Sequence, residues 1–349
     1  MAADLSAPLP SSPSSGGPGS DYAELSRRVK AAGLLRSRPG YYSWKIAATA
    51  VSLAAGWTAF VLIGSSWWQL LTAAFLGVMA THLGFLGHDG GHRQIFRTRR
   101  GAYAFGLVVG NAGIGLSYGW WQDKHSRHHA HPNDLARDPD VRSGALVFDA
   151  DQMSGRGRLG RRLASSQAYL FVPMLLLEAL HLHVASVRAL RSGVVSARWL
   201  EGSLLLLHVT AYLVVVALVL PFWQAVAFIA VQQAVFGLYM GASFAPNHKG
   251  MPIERPEDNW DYLRRQVITS RNVRGGPFVD LALGGLNYQI EHHLFPSMPR
   301  PSLRRLQPLV REFCAERGVP YVECSLAGSY RRAFAHLDRV ANGAASIAG

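Results

Sequence analysis

Two long stretches of this chain carry no charged residue. No Asp, Glu, Lys or Arg occurs between Lys45 and Asp89, and none between Glu201 and Lys249. Each gap is roughly twice the ~20 apolar residues that a membrane-crossing helix needs. Each is therefore expected to form a helical hairpin, two spans joined by a tight turn. The expected spans are 46–64 and 70–87, then 203–220 and 224–244. A buried soluble core seldom runs so far without a charge. Only 16% of the 349 residues are charged, against about 25% in soluble domains. The fold class expected is all-α integral membrane protein, with four transmembrane helices in two hairpins.

The net charge of +13 has a use in this setting. The hairpin turns at 64–68 and 221–224 carry no Lys or Arg, whereas segment 93–162 carries twelve. By the positive-inside bias, that segment and both chain ends face the cytoplasm of a multi-pass cell-membrane protein. Membrane orientation explains the excess better than nucleic acid, which is not expected as a partner. A transporter would want charged groups within its spans. Cys314 and Cys324 fall in the cytoplasmic tail, where no disulfide is expected. Residues 1–20 are rich in Ser, Pro and Gly, read as a disordered arm, and lack the early apolar run of a signal peptide. Asp21 is placed to cap a helix to about Leu35, interfacial or simply on the surface. Segment 102–116 is apolar, Gly-rich and broken by Asn111; it reads as packed on the spans rather than crossing. Segment 163–177 is short and interrupted by Pro173, and is expected to continue to about Arg191 as an interfacial helix. Pro301 opens a last amphipathic helix.

The polar ends of the spans collect histidines. His88 and His92 are four apart, and His125, His128 and His129 sit at i, i+3 and i+4. His292 and His293 are adjacent, and His248 ends the second charge-free stretch. These are eight of fourteen histidines. A four-residue spacing on a helix lets two imidazoles grip one ion, and the three-four triple lets one helix serve two. Imidazole suits iron, zinc, copper and nickel. One pair alone is usually solvated or hydrogen-bonded; three clusters plus a lone histidine, all on the cytoplasmic side, point to a metal centre. Eight ligands are too many for one ion and fit two, with Gln289 as a further contact or water holder. His88-Asp-Gly-Gly-His92 is not the metalloprotease motif, because Asp89 stands where that chemistry needs Glu. Asp89, Asp123, Asn287 and Glu291 are candidates to anchor the ligands' second nitrogens, or ordinary cap and surface residues. His82, His131, His181, His183, His208 and His336 take the structural reading.

At this point the pattern resembles a family. His88-Asp-Gly-Gly-His92, His125-Ser-Arg-His-His129 and Gln289-Ile-Glu-His-His293 are similar to the three histidine boxes of membrane fatty acid desaturases, in that order and with two spans between the second and third. The Gln in the third box resembles the front-end or linoleoyl-type subgroup, and His248 in Pro-Asn-His-Lys-Gly resembles its additional ligand. The resemblance covers residues 21–325, leaving 326–349 as a tail. It implies a cytoplasmic helical cap over four spans and a histidine-ligated centre of two iron ions. It implies insertion of a cis double bond into an acyl chain, carried on CoA or lipid, with O2 and two electrons. The His-Pro-Gly-Gly of a fused cytochrome b5 does not occur, so the resemblance implies a separate electron donor such as a ferredoxin or a reductase.

Tyr118, Trp120, Trp121 and Trp260 are candidates to line an acyl tunnel, though interfacial anchoring or core packing accounts for them equally. Arg93, Arg97, Arg99 and Arg100 suit a phosphate-bearing head group, an acidic donor protein or a lipid-facing collar. Two rival functions remain: an acyl or lipid hydroxylase on the same di-iron scaffold, which would make an alcohol, and a bis-histidine heme electron carrier using His82 and His208, which would show a heme spectrum.

Overall fold

The computed structural model describes residues 20–142 and 144–347. The arm expected to be disordered lies, but for Ser20, outside the described residues. The helices in chain order are α1 (Asp21–Ala31), α2 (Pro39–Ile63), α3 (Gln69–Gly91), α4 (Arg99–Gly106), α5 (Tyr118–Ala130), α6 (Arg158–Ser165), α7 (Gln167–Leu175), α8 (Glu178–Ala189), α9 (Arg198–Val219) and α10 (Phe222–His248). There follow α11 (Tyr262–Ile268), α12 (Pro277–Ala282), α13 (Gln289–Leu294), α14 (Arg300–Glu316) and α15 (Leu326–Ile347). Strands β1 (Asn272–Arg274) and β2 (Glu323–Ser325) form one short parallel pair, with Val273 opposite Cys324.

Among the described residues, four helices are long and apolar enough to cross a membrane: α2, α3, α9 and α10. They match the four expected spans, with α2 and α9 stopping one residue short of 64 and 220 and the other ends running past. Only 17% of the apolar window of α2 and 11% of that of α9 is buried, as suits helices that face lipid. The pair α7 and α8 passes the same test together but is bent by 74°, so it is a broken fifth span or a re-entrant segment. The single interfacial helix expected from 163 to 191 is thus corrected: three short helices, α6, α7 and α8, stand there.

The chain divides into two compact units. The spanning unit comprises 37–124 and 172–242. Its core is Phe60, Ala73, Leu76, Val216, Leu220 and Phe228, drawn from both hairpins. The first turn is closed by Gln69, whose buried amide donates to the Phe60 and Gly64 carbonyls at 2.6 and 2.9 Å. These are carbonyls that the end of α2 leaves without helical partners. Ser65 and Gln224 hydrogen-bond at 3.2 Å, so the two turns lie at one end of the unit, with Trp67, Trp68, Phe222 and Trp223 exposed around them. That is the aromatic belt expected at a membrane–water boundary. Gly77 lets two backbones meet, since a Cβ there would stand 2.7 Å from the Gln232 carbonyl oxygen of α10. Segment 102–116 continues α4 into a π-helical turn (Leu107–Gly113) packed on α3 and α9.

The histidine unit comprises the described residues of 1–36, 125–171 and 243–349. Its core joins Leu25 and Val29 of α1 to Leu263, Ile290, Leu294, Leu306 and Phe313. Of the two expectations for the first helix the surface one holds: its apolar stripe, Leu25 and Val29, is buried in this core while Arg27 and Lys30 are exposed. Ser20 rather than Asp21 caps it, accepting from the Ala23 N–H, while Asp21 pairs with the buried guanidinium of Arg264 at 3.0 Å.

Candidate metal centre

Helix α13 carries His292 and His293 and is only six residues long, all of them buried. So short a helix leaves most of its backbone groups without internal partners. Side chains from elsewhere in the unit supply them. Asn272 Oδ1 accepts from Ile290 N at 2.9 Å, and its amide donates to Glu291 at 2.6 Å. Tyr321 donates to the other oxygen of Glu291 at 2.7 Å. At the far end the hydroxyls of Tyr262 and Tyr22 donate to the carbonyls of His293 and Leu294, at 3.0 and 3.1 Å. Burial pushes the Glu291 carboxyl up to about 7, against the pull of the Tyr321 and Asn272 hydrogen bonds. Glu291 therefore clamps its own helix. Its carboxylate oxygens are taken by Asn272 and Tyr321, and Asn287 donates to Asp280 at 2.9 Å. Neither anchors an imidazole through these bonds, contrary to what their place in the sequence suggested.

The anchors of the ligand rings come from residues that sequence spacing did not mark. His128 Nδ1 donates to Asp138 at 3.0 Å. His248 Nδ1 donates to the Thr269 carbonyl at 3.0 Å. His293 Nδ1 donates to Gln266 Oε1 at 2.9 Å, and Gln266 is oriented by its own amide, which donates to the His129 carbonyl at 3.0 Å. Each partner accepts through oxygen, so each Nδ1 carries the proton and each Nε2 keeps its lone pair.

These lone pairs converge. One ring nitrogen each from His128, His248 and His293 lies within 4.8 Å of the others. His248 Nε2 and His293 Nε2 are 3.1 Å apart. Two bare lone pairs at that distance repel unless a cation lies between them. Two imidazole nitrogens bound to one ion at about 2.0–2.1 Å would stand roughly 3.0–3.4 Å apart. The residues therefore fit a metal. A second group lies beside the first: His129 Nε2 is 3.1 Å from His125 Nε2 and 3.2 Å from His292 Nε2. The rings of His129 and His293 stack at 4.2 Å between the two groups. The three-four spacing on α5 thus sends His128 to one group and His125 with His129 to the other.

A sequence model of the fatty acid desaturase family matches residues 65–325, three quarters of the chain. The chain belongs to the fatty acid desaturase family. It is 30% identical over 334 residues to an acyl-lipid (9-3)-desaturase of Physcomitrium patens, covering 93% of this chain and 63% of that one. It is 29% identical to a Delta(8)-fatty-acid desaturase of Helianthus annuus, covering 87% and 69%, and 30% identical to a Delta(5) fatty acid desaturase of Caenorhabditis elegans, covering 86% and 69%. The chain thus spans about two thirds of the length of these relatives.

In this desaturase-family chain Gln289 presents its amide nitrogen, not its carbonyl, to the centre. Asn247 donates to the Leu286 carbonyl at 3.0 Å and to Gln289 Oε1 at 3.2 Å, which leaves Gln289 Nε2 facing His248 Nε2 at 2.9 Å. The arrangement turns a hydrogen-bond donor, not a ligand oxygen, toward His248 Nε2, whose single lone pair serves either that N–H or an ion. Trp260 is buried in the core of the histidine unit.

In the spanning unit, His88 and His92 face each other at the end of α3, ring centroids 4.6 Å apart, with Trp121 against both. Asp89 Oδ1 is 3.6 Å from His88 Nδ1. The Gly-Gly between the two histidines has a steric reason: a Cβ on Gly91 would stand 2.4 Å from the Trp121 ring. Asp123 and Trp120 sit on α5, and Tyr118 opens that helix. The start of α5 is tied down by Glu201, 1% exposed, which accepts from Ser117 Oγ at 2.6 Å, Asn111 Nδ2 at 3.1 Å and Gly119 N at 3.2 Å. An anion at a helix N-terminus is favoured by the helix dipole. As the acid that closes a charge-free stretch, Glu201 was visible in the sequence, but not as an anchor of the helix that carries the second histidine box.

Of the remaining histidines, His183 bonds Gly115 O and Gln233, His208 bonds Ala112 O, His336 bonds Phe148 O and His181 bonds Glu178. His82 packs on Phe85 and Tyr239, while His208 stacks on Tyr212.

Proposed function

We propose that this protein is a fatty acyl desaturase that inserts a cis double bond into an acyl chain, using O2 and two electrons from a donor protein. The observation that carries the reading is the convergence of the Nε2 lone pairs of His128, His248 and His293, each held by a bonded Nδ1. We assign one iron to these three histidines and a second to His125, His129 and His292. His88 and His92 complete the set, in line with the order of the family's histidine boxes. When bound, the iron pair would supply the oxygen-dependent chemistry that an unactivated C–H bond requires and that acid–base side chains lack.

The chain's own part is to hold and insulate. Asp138, Gln266 and the Thr269 carbonyl keep protons on Nδ1 and so keep Nε2 available. Asn272 and Tyr321 fix the helix that presents His292 and His293, and burial of that helix excludes water. The four apolar spans draw the substrate from the bilayer, and the basic segment 93–162 orients the site and both termini to the cytoplasm. The catalytic domain is taken to run from 21 to 325, because Leu25 and Val29 of α1 share a core with α13 and α14; α15 packs into the same unit.

The test is the fatty acid profile of cells expressing the wild type, His293→Ala or His336→Ala, by gas chromatography with mass spectrometry. A new alkene from the wild type and His336→Ala, lost with His293→Ala, is the expected result. A new alcohol in its place would assign hydroxylation, and full activity of His293→Ala would refute the ligand set.

A further inference from the structure

The backbone around His248 is held by Ser329, Arg271 and Asn133, all outside α10. Carbonyls at a helix end have no partner within the helix, and when buried each needs a donor from elsewhere. At the end of α10 four consecutive carbonyls find one. Ser329 Oγ donates to the Pro246 carbonyl at 2.5 Å. The Arg271 N–H donates to the Asn247 carbonyl at 3.0 Å. Asn133 Nδ2 donates to the His248 carbonyl at 3.3 Å. Arg271 Nη2 donates to the Lys249 carbonyl at 2.5 Å. Ser329 and Arg271 also hold each other, because Arg271 Nε and Nη2 donate to the Ser329 hydroxyl and carbonyl at 2.6 and 3.1 Å.

Ser329 belongs to α15, whereas the match to the desaturase family stops at residue 325. The approach of α15 is close: Gly250 has φ +79, and a Cβ there would stand 2.9 Å from the Arg332 carbonyl oxygen. The segment that carries Arg271 also carries Thr269, whose carbonyl takes the Nδ1 proton of His248. One stretch of chain therefore fixes both the His248 ring and the helix end that presents it.

Hydrogen bonding alone does not call for an arginine here. Asn133 meets the His248 carbonyl with a neutral amide. Arg271 is fully buried, its Nη1 has no partner, and no carboxylate pairs with it among the described residues. Burial pushes the guanidinium down to about 10, so it stays a cation at neutral pH. A buried cation without a carboxylate is costly, and the negative end of α10 offsets the cost in part. The metal centre gives the remaining charge a use. Every histidine assigned to it is a neutral ligand, and a fixed positive charge beside redox metal ions favours their less positive, reduced state.

We infer that Arg271 and Ser329 are positioning residues for His248, and that the Arg271 charge raises the reduction potential of the metal centre. The inference rests on His248 being a ligand and on the redox reading of the site. It makes α15 a working part of the centre.

The experiment uses the full chain, loaded with iron and purified in nanodiscs. Two quantities are read: the iron each chain retains against a competing chelator, and the midpoint potential from a redox titration followed by electron paramagnetic resonance. The variants are Ser329→Ala, Ser302→Ala, Arg271→Gln, Arg271→Lys and His293→Ala. Ser302 is as buried as Ser329, but its hydroxyl has no partner among the described residues. Ser329→Ala is expected to weaken iron binding about threefold to tenfold, less than the roughly 10–100-fold that loss of a direct ring anchor costs. Ser302→Ala should leave it unchanged. Arg271→Gln removes the charge and keeps a donor, so the midpoint potential should fall. Arg271→Lys keeps the charge and should hold the potential near that of the wild type. If Arg271→Gln does not fold, Arg271→Met takes its place, with the same loss of charge.

Equal iron retention by Ser329→Ala and Ser302→Ala would overturn the positioning role. An unshifted potential in the neutral Arg271 variant would overturn the charge role. So would equal falls in the neutral variant and Arg271→Lys, since a purely structural residue does not tell charge from shape. Full iron retention by His293→Ala would count against the ligand assignment itself. Loss of iron there, with the two serine variants alike, would count against this inference alone.

Discussion

Gln266 offers a sharp test of how the centre is held. It is fully buried on α11 and makes two bonds, accepting from His293 Nδ1 at 2.9 Å and donating to the His129 carbonyl at 3.0 Å. Replacing it by Leu keeps the approximate bulk and removes both. Each orphaned buried group costs about 1–3 kcal/mol, so the destabilisation is about 2–6 kcal/mol before relaxation. The effect on metal is separable. Without the acceptor, the proton of His293 is free to move to Nε2 and block the lone pair that faces His248 at 3.1 Å. Loss of such an anchor typically costs 10–100-fold in metal affinity, or about 1.4–2.7 kcal/mol. The assay is metal content by mass spectrometry after equilibration with a competing chelator, beside a thermal melt. Gln266→Glu restores the acceptor to His293 but not the donor to His129. It should therefore recover most metal affinity while remaining less stable than the wild type. Wild-type metal affinity in Gln266→Leu would refute the argument that the Nδ1 bond sets the ligand tautomer.

Two further outcomes follow from the same geometry. Removal of metal by a chelator should lower the melting temperature of the wild type more than that of His293→Ala, which keeps only the group of His125, His129 and His292, because a ligand stabilises only a fold that binds it; equal shifts would refute a centre built on His293. Glu201→Gln keeps the shape of a side chain that accepts from Ser117, Asn111 and Gly119. Its amide must turn one N–H toward another donor, at a cost of about 1–3 kcal/mol. A melting temperature several degrees lower is expected, with an unchanged value sinking the anchor role.

The parts of the molecule legible in the sequence were those that repeat a local rule. Charge-free runs of twice the bilayer thickness marked the two hairpins, and α2, α3, α9 and α10 stand there. Histidine spacing on a helix marked which rings share a face, and α5 divides His128 from His125 and His129 as the three-four pattern allows. Local rules failed where a contact depended on chain far away. The stripe on α1 was correctly seen as apolar, yet nothing local told a helix lying on lipid from one packed by that stripe on the core shared with α14. The interfacial reading of 163–191 rested on composition, which does not register a 74° bend.

The anchors show the same division. Asn287 and Glu291 were singled out because they lie near histidines in sequence. A side chain next to a ligand on a helix points away from it, so Glu291 turned to Asn272 and Tyr321. The groups that hold the rings arrive from ten to 27 residues away: Asp138, Thr269 and Gln266. One is a backbone carbonyl, which no residue type reveals.

The sequence alone determined that the chain crosses a membrane, which histidines it offers and how they are grouped. Those properties follow from solvation cost and helical period, both of which are local. Only the tertiary structure decided which nitrogen of each ring is free, that Gln289 turns its amide rather than its carbonyl to His248, and that Arg271 and Ser329 meet the carbonyls around His248. Each of these depends on which donor or acceptor the fold brings within 3 Å or so, a matter settled by packing between distant segments.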